Sequence, residues 1–191
     1  MSHREHPIKF SIEMAAAHTD SGIFMDRRPV TEENSIVWGG RFSGVDLETG
    51  RARRAATARP GQGPEIRARH TSRSGRVRAV KIEPIVRAGD LLWIRTRANG
   101  SRRSSSQTLV VQEVDVARLQ DMSDDDALRD GFQGFMLAPE TMGPIRKQYA
   151  ELWDMTYGPW SWASNPWVWI YRYAVHRQNI DEYLAAREAS P

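Results

Sequence analysis

Most of the chemistry this chain offers is carried by arginine. Nine arginines fall between residues 51 and 80, where the only acid is Glu65. A guanidinium suits bidentate contact with phosphate better than an ammonium does, and the whole chain has only three lysines, Lys9, Lys81 and Lys147. Within this segment Arg51, Arg53 and Arg54 are candidates for non-specific grip on a polyanion; a solvated loop in an arginine-rich chain is the plainer alternative. Arg27 and Arg28 precede Pro29, which disfavours helix at Arg28 and favours extended chain. Neighbouring strand positions point to opposite faces, so at most one of the two should face a cleft. Trp93 and Arg95, two residues apart, share a strand face. Such a pair suits a flat anionic ligand, or serves stability as a cation–π contact. Of seven tryptophans, five lie between Trp153 and Trp169. Trp153 and Trp169 sit on apolar faces and are expected in the core. Trp160 and Trp162 lie in a Gly/Pro-punctuated loop, where one of them, with Trp160 the candidate, could line a cleft; Trp93 is the residue expected to stack a base.

Little else is equipped for catalysis. With no cysteine there is neither a disulfide nor a thiolate metal site. The histidines, at positions 3, 6, 18, 70 and 176, lack metal-ligand spacing. Asp124, Asp125 and Asp126 follow Ser123 and read as a capped helix start, three acids against the positive end of the helix dipole, rather than as a metal site. No nucleophile elbow, phosphate loop or dinucleotide fingerprint occurs. The acids nearest the candidate cleft segments are Asp26, Asp90 and Glu113; Asp90 follows Gly89 and reads as a turn residue. No catalytic constellation results, and no metal or cofactor is expected.

The elements that must position these residues are mostly short strands. Ile8 to Ser11 reads as a strand, residues 12–20 as a helix, and 35–43 as a strand interrupted at Gly39-Gly40. Strands are expected again at 76–84, 90–97 and 106–117, the last with Thr108, Val110, Gln112, Val114 and Val116 on one face. A helix should follow Ser123, and an amphipathic helix should span 144–157, ending at Gly158. A final strand at 167–175 and a C-terminal helix from Ile180 to Arg187 complete the pattern. Residues 44–75 contain one Ile, one Leu, one Val and no Phe, Trp or Tyr. A segment so poor in apolar surface is expected to be a mobile basic insertion.

The chain's 191 residues accommodate one domain with room for that insertion. Its formal charge of +3 hides an asymmetry: residues 1–100 carry 18 Lys/Arg against 11 Asp/Glu, the remainder 9 against 13. The basic half favours a polyanionic partner. Residues 1–7 lack the apolar run of a signal peptide, and no stretch approaches the roughly 20 apolar residues that span a bilayer. A cytoplasmic protein without a membrane partner is expected.

Three segments in order carry a resemblance. They are Arg87-Ala88-Gly89-Asp90-Leu91-Leu92-Trp93-Ile94-Arg95; residues 106–131, which join a strand through Leu119-Gln120-Asp121 to the acidic capped helix; and Leu152-Trp153-Asp154 followed by Asn165-Pro166-Trp167-Val168-Trp169. This order resembles the ASCH domains of the PUA-like superfamily, especially those of phages and prophages. Phe10-Ser11, Met14 and Arg27-Arg28 look like that family's opening segment. The resemblance implies an α+β fold: a small PUA-like β-barrel with flanking helices, covering residues 1–191 with 44–75 inserted and 178–191 a helical tail. It also implies a barrel-side cleft for RNA or a modified or flipped base, served by Arg27, Arg28, Trp93 and Arg95. Where the family often has a Gly-x-Lys-Thr-type turn before the arginine pair, this chain has Gly22-Ile23-Phe24-Met25, and Thr96 replaces the usual glutamate after Arg95. Both departures weaken transfer of amidohydrolase chemistry.

The favoured expectation is therefore a nucleic-acid-binding module, with DNA and RNA both open. The alternatives are a hydrolase acting on a modified nucleoside or RNA, and a non-catalytic phage scaffold or regulatory protein.

Overall fold

In the computed structural model the described residues are 4–10, 15, 23–57, 62–95, 101–130 and 144–189. The helix expected at 12–20 lies outside them, apart from Ala15. Among the described residues nine strands form two sheets, neither closed into a barrel. The first has β1 (Glu5–Lys9), β7 (Leu91–Arg95), β8 (Thr108–Arg118), β9 (Trp167–His176) and β2 (Ile23–Pro29) side by side in that order. The second has β3 (Ser35–Trp38), β6 (Val77–Pro84), β5 (Glu65–Thr71) and β4 (Val45–Arg53). The β1–β7 pair is parallel and every other pair antiparallel.

The main core lies between the sheets. Ile66, Ala68, Val80 and Ile82 of the second sheet pack against Leu92, Ile94, Leu109, Val111, Val114, Val116, Trp169, Tyr171 and Tyr173 of the first. The opposite face of the first sheet is covered by helices α1 (Asp124–Arg129) and α2 (Ile145–Tyr157), which bury Met25, Val168 and Ile170 with Leu119, Tyr149 and Trp153. Strand β9, buried on both faces, therefore reads as a nearly unbroken apolar run rather than a clean alternation. Trp153 and Trp169 are core residues, as expected.

Strand β8 does not keep the single face read from its alternation. Its pairing with β9 slips between Val111 and Glu113, so two residues oppose one and the faces exchange. Leu109 and Val111 precede the bulge on the core face, and Val114 and Val116 follow it there. Edge strands β1 and β2 also meet without pairing. Arg28 Nη2 donates to the Lys9 carbonyl at 2.6 Å, and its guanidinium lies 5.2 Å from the Phe10 ring centre. The five-stranded sheet is thus curled enough for its two edges to touch through side chains.

The described parts of residues 44–75 depart from the structureless segment expected: they form β4 and β5, with Ile66 fully buried and Ala68 and His70 on the same inward face. Three inward positions suffice to fix a strand whose other face is polar, and the strict alternation from Ile66 to His70 supplies them. Gly44 is needed at the entry: its φ is +93°, and a Cβ there would lie 2.4 Å from the Thr71 carbonyl oxygen. The Asp115 carboxylate, buried on β8, anchors the far end by accepting from Arg54 Nε and Nη2 at 3.0 and 2.8 Å and from the Ala55 N–H at 2.8 Å.

The helices follow the sequence closely. Ser123 caps α1 with a reciprocal Asp126 bond, the outcome expected of the acidic run. Gly158, at φ +102°, ends α2. Helix α3 (Ile180–Glu188) is capped by Asn179, whose amide also donates to the carbonyls of Arg102, Arg103 and Ser105.

Candidate functional site

The alternation of β2 decides which arginine of the pair is available. Met25 and Arg27 face the helices, whereas Phe24 and Arg28 face the core side. Arg27 is 4% exposed, its guanidinium 2.6 Å from Asp130 and 3.2 Å from Asp126. Tyr149 donates its hydroxyl to the same Asp130 carboxylate at 2.8 Å. Burial works against the Arg27 charge, but Asp130 outweighs it and holds the guanidinium above its ordinary pKa. Arg27 is a structural cation that lines no cavity among the described residues, and of the two arginines it is Arg28 that does.

Arg28 reaches the mouth of a cavity of about 380 Å³. Burial opposes its charge too, yet the Asp26 carboxylate at 2.6 Å prevails and keeps it protonated. Arg95, from the end of β7, lines the same cavity and is exposed. Among the described residues no side-chain partner of Arg95 is found. Lys9 of β1 supplies a third cation. Pro7, Ile8, Val86 and Leu92 provide apolar wall, and Tyr171 sits at the back, its phenol held protonated by burial and by the nearby Asp26 charge. Thr31, Glu33 and Asn34, on the turn after β2, complete the rim. Asn34 fixes that turn by donating to the Pro29 carbonyl and accepting from the Thr31 N–H, both at 2.9 Å. The volume lies within the range of small-molecule pockets, and the wall combines apolar side chains with a few convergent polar groups.

The other expected site residues scatter. Trp93 is half-buried between Pro7 and Thr108 in the sheet and does not line the cavity, so the expected Trp93–Arg95 pair across a pocket is not formed. Arg54 is committed to Asp115, and Arg53 to Glu65 at 3.0 Å, while Arg51 is exposed. Trp160 is 80% exposed at a φ of +69°, on the loop after α2, and lines neither cavity. Asp90 is the turn residue expected, accepting from the Arg87 N–H at 2.8 Å and from Arg4. No group of metal-ligating side chains occurs among the described residues.

Lys9, Thr31, Glu33, Asn34 and Tyr171 were not singled out from the sequence. Lys9 left a signal, since it is one of three lysines and lies opposite in phase to Ile8 and Phe10. The Thr31–Asn34 turn left none, because its relevance depends on the curl that brings β1 and β2 together.

A second cavity, of about 600 Å³, adjoins the first through Val86. Three ion pairs lie in its lining, Arg53 with Glu65, Lys81 with Glu83 at 3.0 Å and Glu113 with Arg172 at 2.7 Å, beside the exposed Arg87, for which no ion pair is found among the described residues. Among the described residues no helix is long and apolar enough to cross a membrane. No family model, curated protein or solved structure matches the chain.

Proposed function

We propose that this chain is a nucleic-acid-binding module of the ASCH, PUA-like type, of phage or prophage origin, that receives one nucleotide or modified base in the Arg28–Arg95 cavity. The observation carrying this reading is the convergence of Arg28, Arg95 and Lys9 on an apolar, Tyr171-backed pocket. Three cations around such a wall suit a phosphate attached to a flat ring. The curled five-stranded sheet supports the barrel-like architecture that the resemblance implies. Fluorescence-detected titration with a panel of nucleoside monophosphates, unmodified and base-acylated, tests it. Arg95→Ala should weaken binding about tenfold or more, the loss of one charge-assisted contact, with an unchanged melting temperature because Arg95 is exposed. Absence of nucleotide binding in the unaltered protein overturns the reading.

A hydrolytic reading of the same pocket draws on Lys9, Thr31 and Glu33, which bring an amine, a hydroxyl and a carboxylate to one rim. Incubation with an acylated cytidine decides it: product formation that disappears in Glu33→Gln and Lys9→Met makes the chain an amidohydrolase.

A further inference from the structure

The outer face of the second sheet carries a row of residues that the core does not require. Cross-strand pairing sets Arg51 opposite Arg67, Arg67 opposite Lys81, and Lys81 opposite Trp38. Each is flanked along its strand by inward-facing residues: Ala52 and Val37 pack against the core, and Ile66, Ala68, Val80 and Ile82 are buried within it. All four side chains therefore project from the same outer face. At an inter-strand spacing of about 4.8 Å the row spans roughly 14 Å. Its side chains are open to solvent, with Trp38 52% exposed and the Arg67 side chain 74% exposed.

Like charges placed directly opposite one another destabilise a sheet, so three cations in succession need a reason. Glu65 and Glu83, two residues along their strands, partly offset Arg67 and Lys81 at 2.8 and 3.0 Å. Arg51 has no such offset among the described residues. At the end of the row the Lys81 ammonium lies 5.4 Å from the Trp38 ring centre, while the indole N–H donates to Glu83 at 2.7 Å. The ring is thus held in a fixed orientation although half of it faces solvent.

We propose that this row is a platform for single-stranded nucleic acid, with a base stacked on Trp38 and the sugar–phosphate backbone crossing Lys81, Arg67 and Arg51. An oriented, exposed indole beside successive cations is the arrangement that holds unpaired bases without reading their sequence. An acidic peptide would use the cations but not the ring. The platform deepens the nucleic-acid reading and rests on it, and it connects to the nucleotide pocket. Lys81 also lines the larger cavity, and Val86 is shared by both cavities. A strand laid on the sheet has a route from platform to pocket.

Fluorescence anisotropy with labelled dodecamers of deoxythymidine and of uridine, over a salt series, tests the proposal. Arg51→Ala/Arg67→Ala should weaken binding at least tenfold and make the slope of log K against log salt shallower by about 1.4, two phosphates at roughly 0.7 each. Trp38→Ala should weaken binding about tenfold, and Trp38→Phe should restore most of it. Both variants should keep mononucleotide binding, whereas Arg95→Ala should lose that and retain most of the dodecamer affinity. Unchanged dodecamer affinity in either row variant, with circular dichroism showing a folded protein, overturns the platform. So does equal affinity for a duplex of the same length, or displacement of the dodecamer by polyglutamate at equal charge concentration. Loss of mononucleotide binding alone would count against the pocket and leave the platform standing.

Discussion

Single residues show how burial separates cations that look alike. Arg27 and Arg28 are adjacent and each pairs with a buried carboxylate, Asp130 and Asp26, yet of the two only Arg28 borders a cavity. The partner of Arg27 has a measurable consequence. Burial pushes the Asp130 carboxyl up to about 6, against the opposing pull of Arg27 and the Tyr149 hydroxyl. Its folded-state pKa therefore lies above its ordinary value of 3.8. The folded protein binds this proton more tightly than the unfolded chain, so the contribution of Asp130 to stability rises as pH falls from about 6 towards 4 and is lost as pH rises through 6. Urea midpoints measured at pH 7 and pH 5 should show this increment in the unaltered protein and not in Asp130→Asn. An identical pH dependence in the two would assign the increment to other groups. Tyr149 also touches Trp153 and Trp162 through ring contacts, so intrinsic fluorescence should report the same transition near pH 6.

At the scale of elements, β5 tests whether the basic segment is an arm or a part of the fold. Ile66 has no exposed surface and belongs to the inter-sheet core. Ile66→Ala should cost about 2–5 kcal/mol in denaturant unfolding, the usual range for removing such a side chain. A mobile arm would lose nothing. Ser123→Ala should cost about 0.5–2 kcal/mol through its lost cap. Local signals made most elements legible: the capped start of α1, the glycine that ends α2 and the strand at β6, whereas the strand read through Gly39-Gly40 to residue 43 stops at Trp38. What escaped were properties that exist only after assembly. Strands β4 and β5 take their apolar partners from a distant sheet, so three inward residues do what composition alone argued could not be done. The bulge in β8 leaves no local mark, because Gln112 fits either phase. The pocket was half legible: Arg28 and Arg95 were named from their types, but the selection of Arg28 over Arg27 needed the facing of β2. Lys9 and the Thr31–Asn34 turn needed the curl of the sheet.

On the scale of the whole molecule, the distribution of charge separates cations paired with buried carboxylates from exposed cations with no ion pair among the described residues. Arg54 was expected to grip a polyanion, but it bridges the sheets instead. Its guanidinium lies on Asp115, whose side chain is 3% exposed, while its own side chain is 56% exposed. Removing one partner of a well-buried pair typically costs about 3–5 kcal/mol, because the remaining charge is stranded. Here the cost should be smaller, about 2–3 kcal/mol, since Asp115 keeps the Ala55 N–H and water can reach the vacated position. Arg51, three residues earlier and without an ion pair among the described residues, predicts the opposite pattern. Arg54→Ala should lower the urea midpoint and leave oligonucleotide affinity within about twofold at a temperature where both proteins are folded. Arg51→Ala should change the unfolding free energy by no more than about 0.5 kcal/mol, as exposed substitutions usually do, and weaken binding with a shallower salt slope. If both variants lose affinity equally and neither loses stability, the sheets are not joined through Asp115 in solution. The basic segment would then act as the loose arm its composition suggests.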